Sequence, residues 1–179
     1  MNTKPTFRIT QNSFKLVAVA LAFLFAGCMG LRPSMDSGTF QESTRRLTIP
    51  SLRVEFQVPE SWTVEYSGDA IETNAADLYP SMRFAPAPNR CSYRHISDLK
   101  QELSEMIYKW NPVKSQTVNG MNGYSWEGFG REDALEYTIL VWLLENQGGC
   151  MVAVMFTPND VYSESRVRAE PVFQSIRPY

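Results

Sequence analysis

Residues 52–66 read LRVEFQVPESWTVEY, and their alternation decides the fold. Leu52, Val54, Phe56 and Val58 are apolar while Arg53, Glu55 and Gln57 are polar. After Pro59, Glu60 and Ser61 the alternation resumes at Trp62, Val64 and Tyr66. Period two sends successive side chains to opposite faces of an extended chain, so the stretch predicts two half-buried strands joined by a short turn.

Downstream, residues 81–85 form a further short strand candidate, ended by Pro86 and Pro88. From Ile96 the period changes. Leu99, Leu103, Met106, Ile107 and Trp110 fall at steps of three and four or their neighbours, which predicts one helix with an apolar stripe, capped by Ser97. Pro112 ends it, having no N–H to donate and disfavouring helical geometry at Asn111. Asn119-Gly120 and Asn122-Gly123 mark turns before Tyr124 and Trp126, which share one face of a strand running to Phe129. Residues 131–133 then make a hairpin. Residues 135–144 and 151–156 become nearly continuous apolar runs, the pattern of strands central in a sheet covered on both faces. A last helix is expected from about residue 163, with Ala169, Val172, Phe173 and Ile176 on one side, although Pro171 opposes a straight helix. Trp126 and Trp142 are expected in the core, whereas Phe129 and Tyr79 stand equally open between core and surface. The chain has no internal repeat and no low-complexity tract.

Upstream lies a different kind of sequence. Residues 1–15 carry Lys4, Arg8 and Lys15 with no acid, residues 16–25 are uncharged and apolar, and Ala26, Gly27 and Cys28 follow. Those are the three regions of a signal peptide. An apolar run of about ten residues is half of the roughly 20 needed to span a bilayer, so it predicts a cleaved leader over residues 1–27 rather than a permanent anchor. The end of the run, LFAGC at 24–28, resembles the lipobox of bacterial lipoproteins, although Phe25 stands where that family usually has Leu. The resemblance implies that Cys28 is acylated, with palmitate-type chains, and becomes the first residue of the mature protein. Two or more chains would hold it stably, each buried methylene contributing about 0.8 kcal/mol. Met29 in place of an acid implies sorting to the outer membrane, with the domain facing the periplasm. A buried thiol beside an ordinary cleavage site is the alternative for Cys28. Residues 28–46 then make a lipidated end and flexible tether, with a reach of roughly 20 to 25 Å, and residues 47–179 a single globular domain.

Charge and cysteine content agree with that address. Without residues 1–27 the 17 basic residues fall to 14 against 19 acidic ones, a net charge of −5, which argues against nucleic acid as a partner. Hydrophobic residues make up 44% of the chain, enough for a real core. With Cys28 lipidated, Cys91 and Cys150 are an even pair in an oxidising compartment and are expected to be joined. The bridge would close a loop of roughly 60 residues, worth about 4 kcal/mol by chain entropy. Two separate buried thiols are the competing reading.

The order of strand, VPESW turn, strand, helix, meander and terminal helix resembles the family that includes the photosystem protein PsbP, a Ran-binding nuclear protein and bacterial DcrB-type envelope lipoproteins. The resemblance rests on FQVPESW at 56–62, on the turn at 118–124 leading into Trp126, and on FQSI at 173–176. It implies an α/β fold, an antiparallel sheet sandwiched by helices. It also implies protein binding, assembly or accessory work rather than catalysis, and it carries over no binding residue. Fold analogy by itself is weak evidence for function.

No arrangement of side chains names a reaction. His95 is the single histidine and lies four residues after Cys91, so a helix could pair them as thiol and base, but a bridged Cys91 beside a surface histidine fits the cysteine count better. One histidine and no CxxC pair do not make a zinc site. Glu132, Asp133 and Glu136 lack the EF-hand spacing and fit a solvated hairpin tip. No GxSxG, P-loop or GxGxxG occurs, and no cofactor is expected. The irregular, Pro-rich stretch at 82–88 beside Cys91 is the best functional loop, and Phe84, Pro86, Pro88, Arg90, Tyr93 and His95 are the candidate partner contacts. The sequence thus predicts a membrane-anchored envelope module that binds an envelope protein without catalysis, in assembly or maintenance. An immunity lipoprotein that blocks a periplasmic toxin, and a thiol hydrolase on Cys91 and His95, are the alternatives.

Overall fold

Two long neighbouring strands, β9 (Leu135–Asn146) and β10 (Gly149–Pro158), organise the computed structural model, which describes residues 43–87 and 91–179. They pair antiparallel from Asn146 opposite Gly149 to Tyr137 opposite Pro158. Around them come β3 (Thr63–Ser67), β4 (Ala70–Asn74), β5 (Ser81–Ala87), β6 (Ile107–Trp110), β7 (Lys114–Val118) and β8 (Met121–Glu132). The large sheet runs β3-β4-β5-β10-β9-β8-β6, with β7 also paired to β8. A second sheet, β1-β2-β11, is built from Thr44–Ile49, Val54–Pro59 and Arg177–Pro178.

The apolar run in β9 follows from cover on both faces. Leu140, Trp142 and Leu144 enter one core, with Ala169, Val172 and Phe173 of helix α2 (Tyr162–Gln174) and with Val54, Phe56 and Val58 of β2. Tyr137, Ile139, Val141 and Leu143 enter another, with Ile96, Leu99 and Leu103 beside helix α1 (Tyr93–Glu102). Aromatic stacking fixes the first core. Phe173 lies on Trp142 with centroids 4.4 Å apart, and Phe56 lies on Phe84 at 4.0 Å.

Cover on the α1 side is partial. Glu65, Glu72 and Arg83 occupy one row of paired residues across β3, β4 and β5, and Arg83 donates to Glu72 at 2.6 Å. Of these three strands only Ala87 packs in the α1 core. The sheet is therefore sandwiched over β8 to β10 and polar on one face over β3 to β5.

Five local expectations are corrected. The tether boundary at residue 46 falls inside β1, whose Leu47 and Ile49 are buried. The helix starts under Ser92, whose Oγ accepts from the His95 N–H, rather than at Ser97. It stops at Glu102, and the Ile107–Trp110 segment is an edge strand. The helical spacing of Ile107 and Trp110 comes from burial on the α1 core rather than from a helix: Ile and Trp favour extended chain, and Gly128 and Gly130 of β8 leave the room, since a Cβ on Gly128 would lie 2.5 Å from the Trp110 ring. Asn122-Gly123 lies within β8, and only Asn119-Gly120, at φ of 47° and 83°, makes the turn. Pro171, finally, sits inside α2.

Candidate functional site

The segment after β5 is held covalently. Cys91 and Cys150 form a disulfide with Cα atoms 5.2 Å apart, as the cysteine count predicts. Ala87 already pairs with Cys150 in the sheet, so Cys91, four residues after Ala87, bonds to the same residue of β10. Pro88 and Arg90, like Cys28, lie outside the described residues. Cys150 is buried and Cys91 is half-buried. With its sulfur bonded, Cys91 offers no thiolate, so the thiol and base pair with His95 has no nucleophile in the oxidised chain.

Ser92 then caps α1, which sets the residues after it. Tyr93 is 65% exposed and meets Tyr124 of β8 edge-on, with centroids 6.3 Å apart. His95 is half-buried, and Pro86 is half-buried in β5 opposite Met151. Phe84 is not a partner contact: its side chain is completely buried and stacks on Phe56. The parity of β5 explains this, because Met82 and Phe84 point into the α2 core while Arg83 points the other way. On the flank of α1, burial and the nearby Asp98 raise the Glu102 carboxyl above its usual range, against the pull of His95.

Beside the disulfide lies an open groove of about 550 Å³, lined by Cys91 and by Ser115, Gln116, Thr117, Asn122, Tyr124 and Glu145 among others. Of these only Tyr124 and Cys91 stand out in the sequence for chemistry, and Asn122 stands out there only as a turn signal. The polar members sit on β7, β8 and β9 at positions that read as solvated strand residues, and only strand register brings them together.

A second polar cluster lies on the α2 side. Glu127 of β8 accepts from the Tyr162 hydroxyl, from Arg166 at 2.6 Å and from Asn111 at 2.9 Å. Burial works against the Glu127 charge, yet these donors hold its carboxyl below the usual range. The cluster satisfies itself and ties the start of α2 to the sheet. Among the described residues no group of His, Cys, Asp and Glu is placed to hold a metal ion, and no helix is long and apolar enough to cross a membrane.

No family model matches the chain, and no curated protein matches it. Solved structures do. The solution structure of cyanobacterial PsbP (CyanoP) from Synechocystis sp. PCC 6803 matches 82% of this chain and 98% of its own at a TM-score of 0.58 and 14% identity. A crystal structure from Bacteroides thetaiotaomicron matches 75% of this chain at a TM-score of 0.54 and 14% identity, but only 48% of its own, so this chain spans about half that one's length. LpqN of Mycobacterium tuberculosis, described as involved in cell envelope biogenesis, matches 77% of this chain and 86% of its own at 12% identity and a TM-score of 0.45. The fold is thus PsbP-like, a single-domain α/β arrangement dominated by antiparallel sheet, with two α-helices among the described residues.

Proposed function

We propose that this protein is a lipid-anchored module of the cell envelope, held through Cys28 in the outer membrane and facing the periplasm. There it binds an envelope protein in assembly or maintenance and performs no catalysis of its own. The observation that carries the reading is the disulfide between Cys91 and Cys150. It suits an oxidising compartment, occupies the thiol that a hydrolase would need, and ties Cys91, next to the Ser92 cap of α1, to β10 beside an exposed Tyr93. An aromatic side chain displayed next to a covalent tie suits binding, since less is lost in ordering the surface on contact. Among the described residues Pro86, Tyr93 and His95 are the proposed contacts of the working surface, and Pro88 and Arg90 are proposed from the sequence alone.

The test has two parts. Cys28→Ser in the full chain is expected to release the protein from sedimented envelopes, and undiminished sedimentation overturns the anchor. A photocrosslinking side chain at position 93 in the lipidated full chain is expected to trap one defined envelope protein. The same side chain at Val167, exposed on α2, is expected to trap none. Equal products from both positions, or none from position 93, overturn the working surface.

A further inference from the structure

Register lays out the sheet face beyond the start of α1. Ser115, Tyr124 and Leu143 are paired neighbours across β7, β8 and β9, and Thr117, Asn122 and Glu145 make the next row. Opposed residues project to one face, so the second row is a comb of hydroxyl, carboxamide and carboxylate at strand spacing, about 4.8 Å. It ends at Cys150, which pairs with Glu145 and bonds to Cys91. The Thr117 hydroxyl donates to Asn122 Oδ1 at 2.8 Å, which turns the Asn122 NH2 away from β7. Tyr124, braced edge-on by Tyr93, supplies an aromatic surface beside the comb.

This lining selects among ligand classes. A phosphate or other strong anion calls for Arg or Lys forks, and among the described residues the groove is lined by neither, while Glu145 stands in it. A lipid chain calls for a mainly apolar pocket, and five of the eight residues lining this groove, Ser115, Gln116, Thr117, Asn122 and Glu145, are polar. Paired hydroxyls of a sugar match these groups, since hydroxyls and amides both donate and accept while the Glu145 carboxylate accepts, and the less polar face of a sugar ring suits a tyrosine ring. The groove is open, and strand spacing is close to the length of one ring in a saccharide chain.

We propose that this groove binds a neutral saccharide chain, with Asn122 and Glu145 taking ring hydroxyls and Tyr124 stacking on one ring. The proposal deepens the envelope-binding reading and rests on its working end at the disulfide.

The test titrates the oxidised full chain with a soluble β-1,4-linked N-acetylglucosamine tetramer, followed by calorimetry and by NMR shifts. Saturable binding with a dissociation constant on the order of 1 mM or tighter is expected. Asn122→Ala and Glu145→Gln are each expected to weaken it about tenfold, and Tyr124→Ala more. Tyr108→Ala, exposed elsewhere, leaves it unchanged. Because Tyr124 also packs on the α1 core, each variant is checked for thermal midpoint and an intact bridge, and the exposed Asn122 keeps the test decisive should Tyr124→Ala unfold. Absence of saturation, equal binding by the Asn122 and Glu145 variants, or tighter binding of inorganic phosphate or of an extended peptide overturns the proposal. Crosslinking from position 93 without saccharide binding defeats the saccharide alone. Saccharide binding without a crosslinked protein leaves the groove standing and defeats the protein partner.

Discussion

Asn119 and Ile176 are held together by a side-chain amide: the Asn119 Nδ2 donates to the Ile176 carbonyl at 2.8 Å and to the Gln174 carbonyl at 2.7 Å. These carbonyls lie at the end of α2, where the helix leaves acceptors without partners. The β7–β8 turn thereby closes the last helix. Asn119→Gly keeps a residue suited to φ of 47° and removes the side-chain amide, so a loss of about 1 to 2 kcal/mol is expected in urea unfolding, to which the greater freedom of glycine in the unfolded chain adds. Asn119→Asp faces a carboxylate toward two carbonyls and is expected to cost more at neutral pH than in mild acid. Equal stability of the glycine variant and the parent would refute the closure.

Removing the bridge isolates its contribution. The paired substitution Cys91→Ser and Cys150→Ser releases a loop spanning 59 residues of sequence separation, for which the chain-entropy estimate is about 4 kcal/mol. The denaturation midpoint of the double variant is expected to fall to that of the reduced parent. Unequal midpoints would mean that the serines disturb packing as well.

Phe84→Ala distinguishes core from contact surface. With the ring completely buried against Phe56, truncation is expected to cost about 3 to 5 kcal/mol and to leave crosslinking from position 93 unchanged at a temperature where the variant is folded. Loss of crosslinking with stability intact would restore Phe84 to the surface.

Two tyrosines make the fold sensitive to alkali. Burial and the nearby Glu132 push the Tyr137 hydroxyl up to about 12, and burial with the Glu127 hydrogen bond and charge pushes Tyr162 to about 12. In the unfolded chain both titrate near 10. The folded state therefore holds these protons more tightly, and stability that is complete below pH 10 drains away as pH rises toward 12. Tyr162→Phe and Tyr137→Phe should each flatten the fall of thermal midpoint across that interval. Glu127 has the opposite sign: held below its usual range, it contributes stability at neutral pH that is lost as acid protonates it.

The sequence makes the centre of the molecule legible and its margins less so. Residues 139–144 of β9 are apolar without interruption, and only burial on both faces explains such a run. β1 is missed because Thr44, Arg45 and Arg46 are polar and only Leu47 and Ile49 reach the core. β4 reads Ala-Ile-Glu-Thr-Asn, two apolar residues followed by three polar ones, so no alternation marks it. The helical period carries past Glu102 into β6 because Met106, Ile107 and Trp110 pack on the same core as α1, so burial on one side imitates a stripe on one helix. For the groove, Ser115, Thr117, Asn122 and Glu145 are unremarkable one by one, and their meaning comes from pairing between strands that no local pattern encodes.

The bond from Cys91 to Cys150 also makes a covalent ring of α1 and β6 through β9. A single cut by a protease at any hairpin inside that ring, the tip at 133–134 included, yields two pieces that travel as one molecule. They separate only when a reductant and a denaturant act together, so a nicked form would escape notice on any gel run without thiol.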